Sequence, residues 1–435
     1  AKLLEKIAEV DEYIQNSTDF KGKMNKYAEL NNQIGLLNTM NTYAYIKNSV
    51  DQSDETYKAE VDFYNENYSE VMTKFNLLMK DLVETSTDDE LGQYFTPYQI
   101  WQIKLGAKLY SDEMTEDLNR VSQIEAEYWD IISEMGIDPD EAVDPDELGG
   151  YDKADGGAEE RLGKLYLELI ERGNSLGKAA GFSGGAEYFY GGYMRDYSPA
   201  EMLALCDGIK AYIIPAIKNG VLNASYVEPI SMLDETNAYD RITEFLSDKN
   251  ADFGEAIEFM KEYELSDTTV SPNKKASSFV TLLTSYNEPY MVVSLDGGYD
   301  SLSTFVHEFG HFYDNYSSCK YYEPTSSTIE MSEFFALSLE MILSPSLNRF
   351  MENDIGKTSV RQSMMIDTLY NNLIFQAALE EFQISVFSDP PETTDEISKR
   401  FGEVMASYGM SGLDSDYWIY VHHLFIAPFY TGGYA

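Results

Sequence analysis

Residues 301–314 read Ser301-Leu302-Ser303-Thr304-Phe305-Val306-His307-Glu308-Phe309-Gly310-His311-Phe312-Tyr313-Asp314 and follow the pair Gly297-Gly298. The glycines close a strand-like run, and a helix starting near Ser301 is expected to carry His307-Glu308-Phe309-Gly310-His311. On a helix, positions i and i+4 lie one above the other, so His307 and His311 present their imidazoles to the same point in space. That arrangement chelates one divalent cation. Glu308 stands beside the first imidazole and reaches a water at the cation rather than the cation itself, which is where a general base is needed. Two imidazoles with a carboxylate suit Zn2+ and leave a fourth position open, so one zinc ion is the expected cofactor. The only other histidines are His422 and His423. A lone histidine is most often a hydrogen-bonded core residue, but a pair four apart flanking a glutamate is not lone.

The third ligand has to come from elsewhere in the chain. A metzincin would carry Gly at position 314 and a third His soon after; the sequence has Asp314 and no His before His422, which excludes that class. A carboxylate on a following helix remains, and Thr328-Ile329-Glu330-Met331-Ser332-Glu333-Phe334-Phe335-Ala336-Leu337-Ser338-Leu339-Glu340 supplies it. Glu333 and Glu340 are seven apart and share a helical face, so one can bind metal while the other accepts a hydrogen bond from a ligand imidazole. Glu330 lies on that face too and stays a candidate ligand. A third element closes the sequence, where Trp418, His422, His423, Pro428, Phe429, Tyr430 and Tyr434 crowd together. Peptide hydrolysis passes through a tetrahedral oxyanion, and phenol or imidazole donors aimed at that oxygen lower its energy. In a chain with 34 tyrosines packing is the default role; their company is what singles out Tyr430 and Tyr434.

Upstream, Phe279 to Thr284 and Tyr290 to Leu295 are rich in Val, Leu, Thr and aromatic residues around Asn287-Glu288-Pro289, which predicts two short strands joined by a turn. An edge strand beside the metal helix could take up an extended peptide by main-chain hydrogen bonds; a hairpin that only covers the core would look the same. From Leu3 to about Glu134 apolar residues recur at helical spacing, as in Leu4, Ile7, Val10 and Ile14, or Tyr57, Val61, Tyr64 and Tyr68. Between Gly136 and Glu160 the pattern fails: Asp-Pro-Asp-Glu copies at Asp138 and Asp144 lead into Gly149-Gly150 and Gly156-Gly157, which reads as a loop or lobe boundary. The EF-hand spacing for calcium is not met there. The expected organisation is an N-terminal helical lobe over 1–157 and a catalytic lobe over 158–435.

The 75 acidic against 31 basic residues give a formal net charge of −44. Such a chain lacks the Lys/Arg stripe that neutralises phosphates, so nucleic acid is not an expected partner. Cys206 and Cys319 are too few for a disulfide framework, and stability must come from the core. No apolar run approaches the ~18 residues that span a bilayer. Ala1-Lys2-Leu3-Leu4-Glu5-Lys6 opens an amphipathic helix rather than a signal peptide; scarce Lys/Arg with abundant Tyr, Asn and Ser leans toward an exported protein.

These residues resemble the oligoendopeptidase F and thimet oligopeptidase group of zinc peptidases. The resemblance rests on His307-Glu308-Phe309-Gly310-His311, on the Glu333-x6-Glu340 helix, and on the ending His423-Leu424-Phe425-Ile426-Ala427-Pro428-Phe429-Tyr430. Pro272-Asn273-Lys274-Lys275-Ala276 and the stretch from Tyr43 to Asp54 support it. It implies a mainly α, two-lobed zincin-type fold with a deep substrate channel and a small β-sheet beside the metal helix. It also implies an endopeptidase for short unstructured peptides. Carried over position by position, His307, His311 and Glu333 would bind zinc and Glu308 would activate water. His423, Tyr430 and Tyr434 would steady the oxyanion and the substrate, and Tyr290 to Leu295 would pair with the peptide backbone. Glu333 follows His311 more closely than in similar enzymes, Ala336 stands where Ser is usual, and Thr431-Gly432-Gly433 replaces bulkier residues. Similar enzymes are longer and continue past the position of Ala435, so a fragment or shortened form is expected. A zinc aminopeptidase is the alternative enzyme, but its Gly-x-Met-x-Asn strand motif is absent. A catalytically silent peptide-binding protein would be expected to have lost Glu308 or a ligand, and all are present.

Overall fold

The computed structural model describes residues 2–135, 157–219, 230–275, 277–320, 328–352 and 368–434. The Asp-Pro-Asp-Glu copies and Gly149-Gly150 lie outside the described residues, as does Ala276. Helices dominate, as the sequence predicts, and among the described residues one small sheet is formed by three short strands, one more than the two predicted. No described helix is long and apolar enough to cross a membrane.

The chain divides into two compact units, one of Ala1–Lys23, Glu70–Asn223 and Tyr370–Ala435, the other of Met24–Ser69 and Ala224–Leu369. Both are discontinuous in sequence, so the division differs from consecutive lobes 1–157 and 158–435. A composition break marks where the apolar period lapses, whereas a unit is set by which helices pack together. Here two boundaries fall inside the long helices Phe20–Val50 and Glu55–Glu84.

In the first unit the Lys2–Asn16 helix buries Ile7, Val10 and Ile14, the stripe its 3.6-residue period prescribes. The aromatic centre consists of Tyr128, Tyr166, Phe382, Phe401, Trp418, Phe425 and Phe429, all under 2 % exposed. Helix starts are set locally: Thr96 with Gln99 and Ser198 with Glu201 form capping boxes, each with Pro at the first helical position. The Tyr57, Val61, Tyr64 and Tyr68 stripe, at the second-unit end of its helix, is half-buried rather than core.

The second unit carries the sheet, in order β1-β3-β2, with β1 Ser266–Asp267, β2 Phe279–Leu283 and β3 Glu288–Val292. β2 and β3 form the predicted hairpin, Phe279 opposite Val292 and Leu283 opposite Glu288. Asn287 turns the chain with φ 57°, the left-handed region that asparagine tolerates. β1 pairs in parallel with Met291 and Val292 only, so Pro289 sits where β3 has one neighbour and a missing N–H is tolerated. Of the strand expected to receive a peptide, Tyr290 to Leu295, the part up to Val292 is central, with β1 on one side and β2 on the other; Val293 N and Leu295 N go on to bond the β1 side, at Asp267 O and Thr268 O. The edges of the sheet are β1 and β2, of which β2 is the longer. The sequence gives little sign of β1, a two-residue strand without alternation.

Two stretches that supported the family resemblance meet each other in this unit. Gln52 N donates to Asn273 O and Lys275 N to Ser49 O, both at 2.7 Å. Lys274, its side chain 1 % exposed, donates to Asp267 Oδ1 at 2.6 Å and to the carbonyls of Asp267, Thr269 and Val293 at 3.0 to 3.2 Å. It staples β1 to the end of β3.

Candidate metal centre

The helix Tyr299–Lys320 begins where Asp296 Oδ1 accepts from Gly298 N at 2.7 Å and Ser301 Oγ at 2.6 Å. Gly297 precedes it at φ 92°, and a Cβ there would meet the Asp234 backbone at 2.7 Å, so only glycine fits the turn. Leu302, Phe305, Val306, Phe309 and Phe312 are fully buried in one core with Phe245, Leu343 and Leu347. That apolar face fixes the roll of the helix and turns His307 and His311 toward the next helix, Ile329–Leu347. The two helices approach closely because Gly310 faces Ala336. A Cβ on Gly310 would lie 2.7 Å from Ala336 Cα.

This approach brings His307, His311 and Glu333 together, one ligand atom from each lying within 4.8 Å of the others. Glu333 Oε2 stands 3.4 Å from His307 Nε2 and 3.7 Å from His311 Nε2. Ligands about 2.0–2.1 Å from a tetrahedral ion are themselves about 3.4 Å apart, so the donor set fits a small divalent cation such as zinc. Glu330, the other candidate ligand, is not part of this group. The back of each imidazole is also held: His307 Nδ1 lies 3.3 Å from Glu340 Oε2, whose Oε1 accepts from Ser303 Oγ at 2.9 Å, and His311 Nδ1 lies 3.0 Å from Ser332 Oγ. With Nδ1 engaged, each ring aims Nε2 at the common point.

Electrostatics agree with a cation site. Burial pulls the His311 pKa down to about 4, helped by His307, leaving the neutral ring that coordinates. Burial also pulls on His307, but the Glu333 and Glu340 carboxylates overcome it and push that ring up to about 10. The carboxylates thus create a field that favours positive charge at the trio. Glu308 is 7 % exposed, and its Oε2 is buried with no hydrogen-bond partner. Burial raises its pKa to about 7, with Glu333 adding to the rise and His307 opposing it. An unsatisfied carboxyl oxygen beside the trio is poised to exchange a proton with something not built into the protein.

His423, Tyr430 and Tyr434 belong to the first unit and are brought together there. The His423 ring stacks on Tyr430 at 5.1 Å and 16°, and Tyr430 lies 5.6 Å from Tyr434 and 6.2 Å from Tyr193. Burial, with His422 beside it, pulls His423 down to about 3 and keeps it neutral. Phe429, just before Tyr430, is held at φ 67°, a left-handed conformation that costs a residue with a side chain about 1–2 kcal/mol.

Sequence reasoning missed Ser303 and Ser332. Ser303 could have been found, since it lies four before His307 on the same helix face. Ser332 carries no signal beyond its place next to Glu333.

Residues 1–110 match the peptidase M3 N-terminal domain, and residues 256–435 match peptidase family M3. No curated protein matches the sequence. Among solved structures, PZ peptidase A with an inhibitor superposes with TM-score 0.80 at 21% identity, over 100% of this chain and 85% of that one. A protein assigned as oligoendopeptidase F from Bacillus anthracis str. Ames gives 0.77 at 21% identity over 96% and 83%. Oligoendopeptidase-F from Enterococcus faecium gives 0.54 at 17% over 99% and 84%. At these identities the structures speak for a shared fold. With the two domains of one peptidase family matched in order along the chain and three side chains that could hold a metal ion converging inside the second, the chain belongs to peptidase family M3, a family of zinc metallopeptidases.

Proposed function

We propose that the chain is a zinc endopeptidase that hydrolyses internal bonds of short oligopeptides. The observation that carries this reading is the trio of His307, His311 and Glu333 with the partnerless Oε2 of Glu308 beside it. His307, His311 and Glu333 hold the ion, and Glu340 and Ser332 orient the imidazoles. When bound, zinc supplies Lewis acidity, polarising a carbonyl and acidifying water. Glu308 takes a proton from the attacking water and delivers it to the departing amine nitrogen. The family resemblance is what gives His423 and Tyr430 the part of oxyanion donors and Tyr434 that of steadying the substrate. β2, at the sheet edge, takes the peptide backbone as an added strand, which favours extended, unstructured substrates.

An internally quenched peptide blocked at both ends tests this directly. Cleavage inside the peptide, abolished by a chelator and restored by zinc, is expected. Activity confined to substrates with a free terminus would replace the endopeptidase by an exopeptidase, and tight binding without turnover would leave a peptide-binding protein.

A further inference from the structure

Inside the first unit, a set of buried polar side chains converges on one turn of the C-terminal segment. Glu380 and Gln383, one helical turn apart on the Gln376–Ser388 helix, are both 0 % exposed. Glu380 Oε1 accepts from the Tyr190 phenol at 2.7 Å and from Arg195 Nη1 at 3.2 Å. Its Oε2 accepts from Thr431 Oγ1 at 2.8 Å and from Gly432 N at 3.0 Å. Four donors aimed at one carboxyl are the surroundings of its ionised form, although burial pushes its pKa upward. Arg195 Nη2 donates to Phe429 O at 2.8 Å. Gln383 Oε1 accepts from Phe429 N at 2.7 Å while its Nε2 donates to Thr431 Oγ1 at 2.9 Å.

Residues 429, 431 and 432 are therefore clamped on both sides of Tyr430. The clamp explains why Phe429 keeps a left-handed backbone, since its N–H and C=O are each fixed by a buried partner. It also explains the small residues between Tyr430 and Tyr434: a Cβ on Gly432 would come within 2.8 Å of Glu380 Oε1 and 3.0 Å of Arg195 Nη2. A buried ion pair adds little stability over well-packed apolar residues, so stability does not account for the network. What it supplies is a fixed geometry for a short segment, and the side chain that segment presents is Tyr430.

We propose that Arg195, Glu380, Gln383 and Thr431 are positioning residues that set the direction of the Tyr430 phenol relative to His423 and Tyr434. The proposal rests on the reading of Tyr430 as an oxyanion donor. Such a donor works because it is aimed before the charge develops, and a misplacement of about 1 Å can cost on the order of 100-fold in rate.

Thr431→Val keeps the shape of the side chain and removes both hydrogen bonds of its hydroxyl; Thr431→Ser keeps them. In the full zinc-loaded chain, Thr431→Val should lower kcat about tenfold with KM nearly unchanged, and Thr431→Ser should restore it. In a Tyr430→Phe background the Val change should have no further effect on kcat. The aim of the phenol is also read without turnover, from the fluorine NMR line of a fluorotyrosine placed only at Tyr430. That line should broaden or split with Val and return to one sharp resonance with Ser. An unchanged line in Thr431→Val, or a kcat loss that multiplies with that of Tyr430→Phe, overturns the proposal. If the line responds but Tyr430→Phe keeps full kcat, the positioning stands and the catalytic reading of Tyr430 falls. Should Thr431→Val not fold, Tyr190→Phe, which takes one donor from Glu380, carries the same comparisons.

Discussion

Glu308 and Glu333 are both buried glutamates with different surroundings: Glu333 Oε2 faces two imidazoles, whereas Glu308 Oε2 has no hydrogen-bond partner and forms no ion pair with either ring. That difference suits Glu308 to the proton work proposed for it. Glu308→Gln keeps the shape of the side chain but cannot take up a proton. Metal content should stay at one ion per chain while kcat falls about a thousandfold; retention of more than about a tenth of the turnover would show that another group activates the water. Glu340→Gln should weaken zinc binding about 10–100-fold, because Nδ1 of His307 loses a charged partner. Competition against a chelator measures it, and an unchanged affinity would remove Glu340 from the site. At this scale the sequence was informative wherever spacing encodes geometry: i,i+4 for the histidines and i,i+7 for Glu333 and Glu340. It was silent where only burial makes a residue matter. A lone Arg195 or Glu380 looks in sequence like any solvated charge, and only the fold shows that the two share a core.

At the scale of elements, the decisive contact is between the metal helix and its neighbour. Gly310 permits it, and the HExxH pattern leaves that position unspecified. Gly310→Ala puts a methyl 2.7 Å from Ala336 Cα, backbone that cannot swing aside. The helices must part, so the variant should lose about 1–3 kcal/mol of stability in urea unfolding and bind zinc more weakly. Full zinc affinity in a folded Gly310→Ala would mean that Glu333 reaches the histidines without close packing. The staple between β1 and β3 makes a pH prediction. Burial raises the Asp267 pKa, but hydrogen bonds from Lys274 and Thr269 more than offset this and leave it below the ordinary value of 3.8. A folded pKa below the unfolded one means stability that is present above about pH 4 and lost as pH falls through the folded value. Asp267→Asn should therefore be less stable than wild type at pH 7, and the gap should shrink toward pH 3; a constant gap would show that the charge is not what holds the staple. The hairpin was legible from β-branched runs around a turn. The order of the sheet was not, because β1 is too short to carry a pattern and its partner lies more than twenty residues downstream.

For the whole molecule, helical content was readable from apolar periodicity but the grouping of helices was not: both units are assembled from separated stretches, and no local signal says which amphipathic faces find each other. The division has a consequence that can be measured. Trp101, Trp129 and Trp418, the only three tryptophans, all fall in the first unit, while the metal trio falls in the second. Tryptophan fluorescence therefore reports the unfolding of one unit, and far-ultraviolet circular dichroism reports the helices of both. A ligand that binds only the folded state stabilises by RT ln(1 + [L]/Kd), about 4 kcal/mol at a thousandfold excess of free zinc over Kd. For a unit of roughly 150–250 residues each kcal/mol moves the midpoint by about 2–4 °C, so zinc removal should lower the second unit's transition by about 10 °C. Heating the chelated and zinc-loaded chain with both probes should show the dichroism transition shifting and splitting while the fluorescence transition stays in place. If instead both probes shift together by the same amount, the two units melt as one and the ion stabilises the whole chain. If neither shifts, the trio does not bind metal in the folded protein, and the assignment of His307, His311 and Glu333 fails with it.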